Sequence, residues 1–134
     1  MIEVILMEPR KQENLGVVAR VMANFDFDKL VLVNPRCKIG LLAKKVAKHG
    51  NGILKKSVVK GGDCLREYDY LIGTTAKLGT DYNIPRNAIT AEQLGIKITE
   101  IDHRKLKIGI LIGRESIGLR NEEINLCDIL VTTP

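Results

Sequence analysis

Short runs of consecutive apolar residues alternate along the chain with segments whose apolar side chains recur every third or fourth position. Residues 3–7 (EVILM), 29–34 (KLVLVN), 70–73 (YLIG), 107–113 (KIGILIG) and 129–132 (ILVT) are the apolar runs, closed by proline, glycine or asparagine. Runs of this length with such boundaries predict buried strands. Val58–Val59 allows a further short one. Between the strands the pattern predicts a helix from an Asn14 N-cap to about Phe25, with Leu15, Val18, Met22 and Phe25 on one face. A second amphipathic helix covers Gly40–His49, where Lys44, Lys45 and Lys48 form a basic flank. Shorter helices are predicted over Asp63–Tyr68, Ala91–Leu94 and Asn121–Leu126. Continuous apolar strands alternating with helices imply an α/β fold, a mostly parallel sheet covered by helices on both faces. Repeats, low-complexity tracts and linkers are absent, so residues 1–134 read as one domain.

Ligands of open parallel sheets gather beyond the carboxyl ends of the strands. The loops leaving those ends are residues 8–14, 34–39, 73–88 and 113–120, and most of the unusual chemistry lies in the first, third and fourth. Arg10, Lys11, Lys77 and Arg86 flank them and are the candidate cations for a polyanionic partner.

Composition narrows the partners. The net charge of +5 suits a polyanion or a solvated basic face equally well. With no Trp, two Phe and three Tyr, base stacking on an aromatic sheet is not expected. Cys37, Cys64 and Cys127 form no CxxC pair, which speaks against a zinc site; an odd count without a secretory segment fits reduced thiols in the cytoplasm. No apolar stretch is long enough to span a bilayer, and the isolated His49 and His103 read as surface histidines.

Familiar nucleotide motifs fail. Gly118 is followed by Leu119 and Arg120 rather than Lys-Ser/Thr, no GxGxxG follows a predicted strand, and no GxSxG elbow is present. Two stretches stand out instead. In the first helix, Gly16, Arg20 and Asn24 fall opposite the apolar face, with Gly16 allowing another chain to come close; an ordinary solvent-facing arginine is the competing reading. In LIGRESIGLRNEE a strand ends at Gly113, where a missing side chain exposes backbone polar groups, and Glu115 and Gly118 follow in a turn. Glu122 and Glu123 are read as complementing a helix dipole.

ENLGVVARVMANFDFDKLVLVNP and LIGRESIGLRNEEINLCD, with GTTA at Gly73–Ala76 between them, resemble the signature motifs of the SpoU/TrmH group of SPOUT RNA methyltransferases. The similarity runs from residue 2 to the end of the chain, and AKLGTDYNIPR is most similar to archaeal members of the TrmJ branch. The resemblance implies an alpha/beta-knot (SPOUT) fold, a homodimer, and S-adenosyl-L-methionine-dependent methylation of a tRNA ribose 2′-hydroxyl at nucleotide 32 of the anticodon loop. It places Thr74, Thr75, Ala76, Gly113 and Thr133 at the cofactor, and Asn14, Arg20 and Glu115 at the reaction centre, with no membrane or metal partner.

The family's third motif, an Asn-Leu-Ser-rich turn entering a long helix, is expected after VTTP, where this chain ends at Pro134. On that reading the knot region is truncated, and residues 1–134 form the sheet but only part of the cofactor wall. A sulfonium methyl is already activated, so the protein has to align the attack and manage one proton. Because a guanidinium is almost never neutral, Arg20 is expected to act as a fixed cation, with Glu115 orienting it. Two alternatives are a noncatalytic RNA-binding relative and a small-ligand α/β module.

Overall fold

Ile2–Met7 (β1) carries one polar residue, Glu3, and the rest of its side chains are apolar, so it can be covered on both faces; it lies inside a parallel sheet. The computed structural model describes residues 1–75, 88–100 and 105–132. The other strands are Leu30–Val33 (β2), Val58–Lys60 (β3), Tyr70–Thr75 (β4), Ala88–Thr90 (β5), Ile108–Ile112 (β6) and Ile129–Thr132 (β7). Their order is β3-β2-β1-β6-β4-β7-β5, and each pairing is parallel. All five apolar runs are strands, the Val58–Val59 strand forms, and β5 was not anticipated.

Helices are Gln12–Asn24 (α1), Leu41–Ala47 (α2), Asn51–Lys56 (α3), Ala91–Glu100 (α4) and Asn121–Leu126 (α5), with 3₁₀ turns at Lys48–Gly50 and Gly62–Glu67. On one face of the sheet, Leu15, Ala19 and Met22 of α1, Ala43 and Ala47 of α2, and Ile53 and Leu54 of α3 pack on Val4, Leu6, Leu30 and Leu32. Leu94 and Ile98 of α4 pack on Ile72, Ile108, Ile129 and Val131. Alternate residues of the same strands, Ile5, Met7, Val31, Val33, Leu71 and Leu111, meet Cys64 and Leu65 on the opposite face, where Leu119 and Cys127 flank α5. The period-two alternation decides which face each residue serves. No helix among the described residues is long and apolar enough to cross a membrane.

Several expectations are corrected. The first helix starts at Gln12 with Lys11 in the N-cap position, so Asn14 lies inside its first turn. The predicted Gly40–His49 helix breaks at Lys48, and α3 follows it. The Ala91–Leu94 helix runs on to Glu100. Gly16 is buried rather than open to another chain. A Cβ there would stand 2.5 Å from the Ala43 carbonyl oxygen and 2.9 Å from Val46 Cβ, so the glycine is what lets α2 lie against α1. Gln12 ties the same two helices, its Oε1 accepting the Gly40 and Ala43 N–H groups at 3.1 Å each.

The strand order places the site. After β1 the chain turns to α1 on one face, whereas after its neighbour β6 it turns to α5 on the other. Two adjacent strands whose connections diverge leave a crevice at their carboxyl ends, the place where open parallel sheets bind ligands.

Candidate active site

The crevice between the β1–α1 and β6–α5 loops is a cavity of about 220 Å³ lined by Leu6, Met7, Asn14, Val18, Gly113 and Glu115 among others. Its walls are mainly apolar, and its polar groups come from the two loops that diverge. Three residues singled out from distant parts of the sequence, Asn14, Gly113 and Glu115, therefore share one cavity.

Glu115 joins the two loops. Its Oε1 accepts the Arg10 N–H at 3.1 Å and the Lys11 N–H at 3.3 Å, and its Oε2 accepts the Arg10 N–H at 3.3 Å. The Asn14 side chain donates to it as well. Lys11 offers no capping side chain, so a carboxylate 104 residues away takes that place at the start of α1. Desolvation pushes the Glu115 carboxyl up, but the Asn14 amide and the Arg10 and Lys11 N–H groups outweigh it and hold the pKa below the usual carboxylate value. A carboxylate so engaged is a positioning group rather than a base. Among the described residues Glu115 makes no hydrogen bond or ion pair to Arg20, which corrects the expectation that it orients that arginine.

Arg20 is exposed on α1 beyond the cavity lining, and Arg10 and Lys11 are exposed at its mouth. Thr74 and Thr75 are half-buried at the end of β4; the register pairing Gly73 with Leu111 brings them level with Ile112 and Gly113. The Thr74 hydroxyl donates to the Leu111 carbonyl at 3.0 Å. Ala76, Lys77, Arg86 and Thr133 lie outside the described residues.

Gly113 has a packing role not anticipated. A Cβ there would run into the backbone of Gly118 and Leu119, because Arg114 and Gly118 exchange backbone hydrogen bonds of 3.1 and 2.9 Å that fold the turn back on the strand end. Gly118 takes φ +70, which a glycine adopts at little cost. Glycines and hydroxyl-bearing threonines at adjoining strand ends leave backbone polar groups within reach of a ligand, a donor set that fits the adenosine part of a nucleoside cofactor.

Beneath this turn lies a buried ion cluster that spacing did not reveal. Arg114 Nη2 donates to Glu8 Oε2 at 2.5 Å, while Nη1 and Nη2 reach Glu123 Oε1 and Oε2 at 2.7 and 2.8 Å. Arg36 meets the other Glu8 oxygen at 3.2 Å. Glu123 also accepts the Arg120 N–H at 2.7 Å, so it is a buried partner of Arg114 and a cap for α5, not merely a dipole complement. Arg114's hydrogen bonds, opposed by burial and aided by Arg36, bring the Glu8 carboxyl down to about 2. Glu123's hydrogen bonds lead in raising the Arg114 guanidinium further above its ordinary value. Glu8 itself sits at φ +44, in the left-handed region rarely held by a non-glycine residue. The signal available in sequence was charge placed directly at apolar strand ends, Glu8 after β1 and Arg114 after β6.

Cys37, Cys64 and Cys127 are unpaired. Burial, then Asp128 and Glu123, push the Cys127 thiol up to about 12.

The chain is 40% identical over 136 residues to a tRNA (cytidine-2′-O-)-methyltransferase TrmJ from Methanocaldococcus jannaschii, covering 100% of this chain and 58% of that protein. It is 32% identical over 135 residues to the protein of the same name from Sulfolobus acidocaldarius, covering 99% of this chain and 55% of that one. The chain thus spans a little over half the length of these relatives. The crystal structure of TrmJ from Z. mobilis ZM4 superposes with a TM-score of 0.86 at 28% identity, covering 100% of this chain and 59% of that one. The model of the SpoU rRNA Methylase family matches residues 1–134, and the chain belongs to that family.

Proposed function

We propose that this chain is the catalytic part of an S-adenosyl-L-methionine-dependent tRNA 2′-O-ribose methyltransferase. The observation that carries the reading is the convergence of Asn14, Gly113 and Glu115 on one cavity where the β1 and β6 connections diverge. Family membership and the names of the two archaeal relatives support it, the latter pointing to a cytidine. The acceptor is nucleotide 32 of the anticodon loop, the working form is a homodimer in the cytoplasm, and these rest on resemblance to the TrmJ branch. Val17 and Val21, 49% and 48% exposed on α1, are apolar surface that a second copy would cover.

The cofactor supplies an activated methyl group. Thr74, Thr75 and Gly113 would hold it, with Ala76 and Thr133. Glu115 fixes the start of α1 and the Asn14 amide, and α1 carries Arg20 toward the RNA. Arg20 is a fixed cation that holds the neighbouring phosphate and stabilises charge developing on the ribose oxygen. Arg10, Lys11, Lys77 and Arg86 bind the RNA backbone.

Transfer of labelled methyl from S-adenosyl-L-methionine into transcribed tRNA, followed by mapping of the modified nucleotide, tests this. Arg20→Ala should abolish transfer while leaving cofactor affinity nearly unchanged. Near-normal turnover in Arg20→Lys would exclude bidentate phosphate binding. Retained tRNA binding without any transfer would favour a noncatalytic RNA-binding relative.

A further inference from the structure

From Lys29 to Gly62 the sequence holds nine lysines and arginines and no aspartate or glutamate. The remainder, with twelve cationic and sixteen acidic side chains, is net negative. The excess positive charge is therefore concentrated in the segment from β2 to β3 rather than spread along the chain. Lys38, Lys44, Lys45, Lys48, Lys55 and Lys56 are exposed, and none makes an ion pair among the described residues.

The centre of this region is a strained elbow. Lys48, which ends α2, has φ 51 and ψ −118, a conformation suited to glycine. The strain is held from both sides. Asn51 Nδ2 donates to the Lys44 and Lys48 carbonyls at 2.9 Å each, and Gly50 packs so tightly on α1 that a Cβ would lie 2.5 Å from the Ala19 oxygen and 2.8 Å from the Arg20 nitrogen. A glycine at position 48 would relieve the strain, yet a lysine stands there, where the elbow crosses the helix that carries Arg20.

We infer that the α2–α3 elbow, with Lys44, Lys45 and Lys48 at its core, is a second RNA surface that grips the phosphate backbone of the tRNA next to Arg20. The inference rests on the proposed tRNA substrate. Six exposed lysines on a segment with no acidic residue of its own, bordered by Asp26 and Asp28 only near Lys56, complement a polyphosphate, and such contacts fix position and affinity without reading sequence.

Binding of transcribed tRNA across a salt series tests it, using the chain and the triple variant Lys44→Gln, Lys45→Gln, Lys48→Gln. The control is Arg66→Gln, Lys97→Gln, Lys105→Gln, which removes equal charge elsewhere. The elbow variant should bind roughly tenfold or more weakly at ~0.15 M salt, with a log–log salt slope flatter by about 2 to 3, while the control changes little. Lys48→Gly should melt at a higher temperature than the parent and still bind tRNA more weakly. Equal losses in elbow and control variants, or unchanged binding in the elbow variants, overturn the inference and leave the proposed substrate standing. Absence of tRNA binding by the unsubstituted chain overturns both, as does a preference for anionic phospholipid vesicles over tRNA.

Discussion

Arg114 and Glu8 are 106 residues apart in sequence and share a hydrogen bond of 2.5 Å, the shortest link of a buried cluster that ties the end of β1 to the β6–α5 turn. With Glu123 on its other side, the guanidinium is shared by two buried carboxylates, of which Glu8 is also paired with Arg36 and Arg120. Removing it leaves both without their main partner, and breaking a buried pair this way costs far more than losing a surface bridge. Arg114→Ala should destabilise the chain by about 3 kcal/mol in denaturant unfolding. Arg114→Lys, which keeps the charge and loses the fork, should fall between.

The same cluster sets the response to acid. The Glu8 carboxyl is held at about 2 in the folded chain against an ordinary value of 4.5. A lowered folded value contributes stability that is complete above the unfolded value and is lost as pH falls toward the folded one. Glu115, also lowered, acts in the same direction. Melting temperature should hold level down to about pH 5 and then fall steadily toward pH 2. Glu8→Gln should flatten that fall, and a profile as steep in Glu8→Gln as in the parent would assign the acid sensitivity elsewhere.

Asn14 and Glu115 are joined by a hydrogen bond, so their truncations should not add. A double-mutant cycle of Asn14→Ala and Glu115→Ala should give a coupling of about 1 kcal/mol. The Glu115→Ala change alone should weaken the start of α1, read as faster amide exchange at Arg10 and Lys11. An additive cycle would show that the contact contributes nothing.

Gly16→Ala sets two effects against each other. Helix propensity favours alanine by roughly 1 kcal/mol. Against this, the new Cβ would meet the Ala43 carbonyl oxygen at 2.5 Å, and backbone cannot move aside as a flexible side-chain tip can. Overpacking costs about 1–3 kcal/mol, so the substitution should destabilise on balance. A raised melting temperature would show that α1 and α2 can separate freely.

How much was legible follows the range of the forces involved. The apolar runs announced their strands because burial on both faces leaves a local signature, and the parallel α/β fold followed. Residues 51–56 gave no helix signal, since Gly50 and Gly52 break the pattern, and what folds them is burial of Ile53 and Leu54 against α1 and the sheet. Ala88–Thr90 is only three residues long and becomes a strand by pairing with β7. In the site, the glycine-rich charged turn pointed to Gly113 and Glu115, and Asn14 entered only through resemblance to the SpoU/TrmH group. That Asn14 is not the cap, that Glu115 is, and that Arg114 is buried between two carboxylates are consequences of contacts across more than a hundred positions or within a folded-back turn. Linear spacing holds no record of those.

The two neighbours of β1 also set the order in which this chain assembles. Val4 pairs with Leu30 on one side and with Ile110 on the other. During synthesis β1, α1 and β2 can collapse together early, whereas β6 and the carboxylate of Glu115 emerge only about eighty residues after β2. Until then the first amides of α1 have no acceptor and the crevice has one wall. Pulse-labelled hydrogen exchange on refolding should therefore protect the β1–β2 pairing before the amides of Arg10 and Lys11, so that the crevice matures later than the strand pair beside it.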